Sequence, residues 1–140
     1  MAYVRGILSA TLVVSATIGI LILLDDQYLW ATATSHAYGL IAFVTFDLVL
    51  ATTIWKKTWL ASLLSIALAT VQATAMLGDV FTYSTTDVSQ EAFRSYLLNN
   101  AAFIALLFIQ PIILGLAFGA SNLRYDYNMI RRWVQTNLPH

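Results

Sequence analysis

Ile54-Trp55-Lys56-Lys57-Thr58-Trp59-Leu60 lies between two apolar runs, one from His36 to Trp55 and the other from Trp59 to Gly78. Each run is about 20 residues, enough for a helix to cross a bilayer core of about 30 Å. Only Lys56, Lys57 and Thr58 part the two tryptophans. So short a connection predicts a tight antiparallel helical hairpin, with Trp55 and Trp59 anchored at the membrane interface and the lysines in water.

Working outward, a first run from Gly6 to Leu24 carries no charge and is bounded by Arg5 on one side and Asp25-Asp26 on the other. Ala31-Thr32-Ala33 has the small-x-small pattern of a signal cleavage site. The run is nevertheless longer than a usual signal core, so a retained transmembrane helix is expected. A last run extends from Ala101 to Ala120. Its helix is expected to begin earlier, near Val88, because Asp87 can cap it and Gln90 follows three positions later as in a capping box. The expected helices are therefore 5–24, 36–55, 59–78 and 88–120, forming one all-α transmembrane domain over residues 1–140, a four-helix bundle.

Composition agrees with this reading. Of 140 residues 59% are hydrophobic and 10% charged, against roughly 25% charged in soluble domains. Seven Lys and Arg balance seven Asp and Glu, and the net charge of zero gives no reason to expect a nucleic-acid partner. Cysteine is absent, so disulfides, thiolate nucleophiles and thiol metal sites are excluded.

Charge distribution sets an expected orientation. Arg5, Lys56, Lys57, Arg124, Arg131 and Arg132 fall on one side of the spans and Arg94 alone on the other, with Asp25, Asp26, Asp79, Asp87 and Glu91. Under the positive-inside rule both termini are cytoplasmic, in the cell membrane. Beyond the last span, Leu123, Tyr127, Ile130 and Val134 recur at helical spacing. Segment 122–135 reads either as an amphipathic helix lying in the interface, its arginines on anionic headgroups, or as a helix end that snorkels there.

In lipid, helices associate through small residues and polar side chains. Ala61, Ser65, Ala69 and Ala73 form a small ridge on the third span, beside a row of Thr70, Thr74 and Gly78. Thr11, Ser15 and Gly19 form another on the first, and Gly115 and Gly119 make a GxxxG step on the last. These are expected to pack within the bundle or against a partner subunit.

Asp47 stands out, flanked in Phe43-Val44-Thr45-Phe46-Asp47-Leu48-Val49-Leu50 by apolar residues and Thr45. It lies nine residues before Lys56, about 13 Å deep at 1.5 Å per residue. A carboxylate there must be protonated, paired or hydrated, so it either carries protons or cations or ties its helix to Gln110, Gln72 or a threonine. Gln110 precedes Pro111, which removes a backbone donor, frees a carbonyl one turn earlier and predicts a kink. The freed carbonyl, the Gln110 amide and Asp47 could make a small polar site. Gln72 is expected to hydrogen-bond another helix.

His36 is the one histidine near a span, since His140 lies at the opposite side. A two-histidine haem within one chain is not expected, and a three-histidine copper or zinc site cannot be built. His36 with Asp25, Asp26, Asp79 or Glu91 is the remaining candidate for a divalent cation. Trp30 and Tyr38 read as interfacial aromatics. No GxSxG, HExxH, Walker or GxGxxG motif occurs. In size and helix count the chain is similar to small multidrug transporters, but its first span lacks the charged residue expected there.

The leading expectation is a non-catalytic accessory subunit of a larger membrane complex, of respiratory oxidase or membrane monooxygenase type. It would hold no cofactor of its own, contact lipids and other integral membrane subunits, and leave metal or haem to those partners. The alternative is a homo-oligomeric proton- or cation-coupled transporter or channel using Asp47. A third class would bind haem through His36 of two protomers.

Overall fold

A computed structural model of the chain describes residues 2–56, 58–83, 88–121 and 131–136, the side chains of 2 and 58 excepted. Its elements are α1 (Ala2–Asp25), α2 (Gln27–Thr32), α3 (Thr34–Thr53), α4 (Thr58–Thr82), α5 (Gln90–Asn99) and α6 (Ala101–Ala120). No strand occurs among the described residues. Four helices, α1, α3, α4 and α6, are long and apolar enough to cross a membrane. α1 packs most extensively on α3 and α6, and α4 on α6, while contact between α3 and α4 is limited. The four residues between them, 54–57, therefore make α3 and α4 neighbours without closing them along their length.

The sequence places Asp25, Asp26 and Asp79 at one end of the four long helices and Arg5 and Lys56 at the other, here called the acidic and basic ends. At the basic end the Trp55 ring lies beside Gly6 and Val4 beside Gly119, which brings the start of α1 to the end of α6. The acidic end carries two short helices absent from the sequence reading as separate elements. Asp26 stops α1 and starts α2, its Oδ1 accepting from the Leu29 N–H at 2.9 Å. An aspartate side chain that satisfies an orphan donor makes such a restart favourable.

The expected helix 88–120 is corrected to two. Asn100, with φ −88° and ψ 104°, ends α5 and begins α6, its side-chain oxygen accepting from the N–H groups of Ala102 and Phe103 at 3.0 and 3.1 Å. Asparagine competes with the helix for these donors, and here it wins. The capping expectation at Asp87 falls outside the described residues. The cap observed for α5 is Ser89, whose hydroxyl accepts from the Ala92 N–H at 3.2 Å. Gln90 is thus the first helical residue, too early to close a capping box. Residues 122–130 of the expected C-terminal segment also lie outside the described residues, while 131–136 form an exposed helical stretch.

The core has three layers. Ile22, Leu29, Ala37, Met76, Phe93 and Leu97 fill the acidic half, and Leu8, Leu12, Leu50, Ile54, Ile113 and Ala117 the basic half. Between them lie buried polar side chains, Ser15, Asp47 and Gln110. Phe46, Val71, Phe108 and Ile112 are more than half exposed on the outside. That pattern suits lipid, in which an outward apolar residue costs nothing and polar groups are what hold helices in register.

Candidate functional site

Among the described residues two polar groupings stand out. The first is the middle layer. Asp47 on α3 is 2% exposed, and the Ser15 side chain of α1 lies beside its carboxyl. The Gln110 amide of α6 donates to the Ser15 hydroxyl at 3.4 Å and to the Leu106 carbonyl at 3.2 Å. One serine therefore bonds α6 to α1 and sits against the carboxyl of α3. Asp47 and Gln110 do come together, but through Ser15, which the sequence marks only as a small residue on a packing ridge. α6 runs through Pro111 without interruption. The carbonyl that Gln110 engages is that of Leu106, whereas the one proline frees in an α-helix is that of Leu107, four residues before it.

The small-residue ridges divide sharply. Ala61, Ser65 and Ala69 are buried, Ala73 is half-buried, and the Ser65 hydroxyl turns back to the Ala61 carbonyl at 2.7 Å. Gly19 is a real close approach, since a Cβ there would meet Val44 Cγ2 at 2.5 Å. Gly119 touches Val4, whereas a Cβ on Gly115 would meet nothing within 4 Å. The GxxxG step is thus half engaged, and the Thr70–Thr74 row faces outward, both hydroxyls bonded to the carbonyl one turn back.

The second grouping is a half-enclosed cavity of about 360 Å³ at the acidic end, lined chiefly by α3, α4 and α5. His36 and Asp79 bridge those helices, Nε2 to Oδ1 at 2.8 Å, each about a quarter exposed. With its proton on Nε2, His36 donates to Asp79 and leaves Nδ1 to accept from the Ser35 hydroxyl at 3.3 Å. The imidazole stands edge-on to Tyr83 at 4.5 Å, and Tyr83 in turn packs on Phe93.

Across the cavity Asp26 accepts from three donors. Besides the Leu29 N–H, its Oδ2 accepts from the Tyr96 phenol and from the Asn100 amide, the latter at 3.0 Å. Burial, then the bond to Asp26 and its negative charge, push the Tyr96 phenol well above the ordinary tyrosine range. Gln72 lies on the cavity wall, 2% exposed, and among the described residues its Oε1 has no hydrogen-bond partner. The helix-to-helix bond expected of Gln72 is therefore not made by that oxygen.

Of the five metal candidates, His36, Asp79 and Asp26 line this cavity, while Asp25 and Glu91 are exposed. Among the described residues no cluster of three or more His, Cys, Asp or Glu side chains could hold a metal ion. Tyr96 and Asn100, which hold Asp26, were not legible as site residues, although the pair Asn99-Asn100 just before an apolar run is a helix-start signal. Comparison with protein-family models, with curated proteins and with solved structures gives no match to this chain.

Proposed function

We propose that the chain is a non-catalytic accessory subunit of a larger membrane complex, of respiratory oxidase or membrane monooxygenase type. It would be a four-helix transmembrane bundle with both termini cytoplasmic and the acidic end outside. The observation that supports a non-catalytic role best is the use made of Asp47. Its carboxyl is enclosed within one chain beside the Ser15 side chain of α1, which suits a polar contact between helices. A path between copies of the chain would need that carboxyl on an outer face, so the transporter alternative gains least from the geometry. The outer face of α5 offers Glu91 and Arg94, both exposed, as a docking surface at the acidic end.

Gentle extraction from the native membrane followed by native mass spectrometry tests this reading. The expected result is recovery at fixed stoichiometry with larger, different polypeptides that hold the metal or haem, weakened in a Glu91→Arg, Arg94→Glu double variant. Recovery as a homo-oligomer alone, with cation or proton flux in liposomes that Asp47→Asn abolishes, would replace it with the transporter.

A further inference from the structure

Packing alone does not account for a glutamine at position 72. Its side chain is 2% exposed, and its Oε1 is sealed from the cavity with no donor among the described residues. A buried acceptor left unpaired costs about 1–3 kcal/mol, which a methionine in the same slot would not incur. The other half of the amide differs. Nε2 makes no hydrogen bond among the described residues, it is not sealed as Oε1 is, and the side chain lies on the wall of the cavity of about 360 Å³. The polar atom that Gln72 offers to the cavity is therefore a donor.

The other polar side chains of the wall are already matched within the chain. Asp26 accepts from Leu29, Tyr96 and Asn100, Asp79 is paired with His36, and the Ser35 hydroxyl bonds the second nitrogen of that ring. Neither carboxylate calls for a cation, and the two together disfavour an anion. The rest of the wall is largely apolar, with Leu40 and Phe43 on α3 and Met76 one turn beyond Gln72 on α4. Depth narrows the occupant further. Gln72 lies ten residues before Thr82, the end of α4, or about 15 Å at 1.5 Å per residue, half of a bilayer core of about 30 Å. Phospholipid ester carbonyls, at the edge of that core, do not reach so far in.

We infer that the cavity binds a neutral, largely apolar ketone dissolved in the bilayer, its carbonyl oxygen accepting a hydrogen bond from Gln72 Nε2 and its carbon skeleton lying against Leu40, Phe43 and Met76. The volume is within the range of about 300–1,000 Å³ usual for small-molecule sites. The site does not depend on whether the chain serves a larger complex. Binding alone is assigned, with no chemistry at the carbonyl.

Titration of the purified full chain in detergent micelles with 5-nonanone tests it, read by calorimetry and by the infrared carbonyl stretch, with empty micelles as the blank. The control probe is 2-butylhex-1-ene, in which CH2 replaces the carbonyl oxygen, and affinities are referred to probe dissolved in the micelle. Saturable one-to-one binding of the ketone is expected, with the stretch moved to lower frequency. Gln72→Met should weaken it roughly fivefold to tenfold, the equivalent of one hydrogen bond, and return the stretch to its micelle value. Because that variant removes an unpaired buried oxygen, it should unfold no more easily than the native chain. The alkene should bind more weakly than the ketone by a similar factor and be indifferent to Gln72→Met. Heats equal to those of empty micelles would overturn the site. Saturable binding unchanged in Gln72→Met would overturn the amide contact. Displacement of the ketone by added phosphatidylcholine would assign the site to a lipid ester and overturn the argument from depth. Tighter binding of the 5-aminononane cation would show that the carboxylates govern the cavity, and overturn neutrality.

Discussion

The Tyr96 phenol donates a hydrogen bond to the Asp26 carboxylate, joining residues 70 positions apart and fastening α5 onto the junction of α1 and α2. Because burial, and then that bond and its charge, push the phenol above its ordinary value of 10.0, the folded chain holds this proton after the unfolded chain has released it. Stability from this contact is therefore fully present below about pH 10 and lost as pH rises further toward the raised value. Thermal unfolding of the native chain in detergent should fall steeply above pH 10. Tyr96→Phe should be less stable at pH 8 and should fall less steeply above pH 10. Parallel curves would refute the assignment.

Asn100 serves the same corner twice, capping α6 through its side-chain oxygen and donating its amide to Asp26. Asn100→Ala should cost about 1–2 kcal/mol, the upper part of the range for a lost N-cap. Asn100→Ser keeps a capping hydroxyl and gives up only the bond to Asp26, so its loss should be roughly half. Equal losses in the two variants would mean that the cap contributes nothing.

These two residues show where a sequence is legible and where it is not. The four long helices can be read from local hydropathy, since a run such as Gly6–Leu24 has no alternative in lipid but to satisfy its backbone internally. At Asn100 the local cap is a readable helix-start signal, but its bond to a carboxylate 74 residues away is carried by no local pattern. Asp47 could be recognised as a buried polar group from its flanks alone. Its partner could not, because serine is ambiguous between a small packing residue and a hydrogen-bonding one until the opposite helix is in place. The cavity was illegible for a related reason: its lining comes from all six helices, and a short link sets the adjacency of α3 and α4 without setting what the others leave open.

The Asp47–Ser15–Gln110 layer yields a graded prediction. Interhelical hydrogen bonds in membranes are worth about 0.6 kcal/mol on average and about 1.7 at most. Asp47→Asn retains hydrogen-bonding capacity toward Ser15 and should change stability by less than about 0.5 kcal/mol, whereas Asp47→Leu should cost about 0.6–1.7 kcal/mol. Ser15→Ala should cost a similar amount. The double variant Ser15→Ala, Asp47→Leu should lose less than the sum, because both singles break one shared contact. A gain in stability for Asp47→Leu would show that the carboxyl is kept at the expense of the fold and would revive a transport role.

The two glycine positions that look alike in sequence should behave oppositely. At Gly19 an added Cβ falls 2.5 Å from Val44 Cγ2, and Val44 is β-branched on a helix, with little rotamer freedom to retreat. Gly19→Ala should therefore force α1 away from α3 at a cost of about 1–3 kcal/mol, as overpacking does. At Gly115 an added Cβ meets nothing within 4 Å, so Gly115→Ala should be neutral or stabilise by up to about 1 kcal/mol through helix propensity. Val44→Ala placed on Gly19→Ala should restore part of the loss, since it removes the atom that clashes. Denaturant titration of the four proteins in the same micelle measures all three effects. If Gly19→Ala matched Gly115→Ala, the close approach of α1 and α3 would be wrong. If Gly115→Ala lost stability instead, that glycine would be covered by another copy of the chain or by a partner.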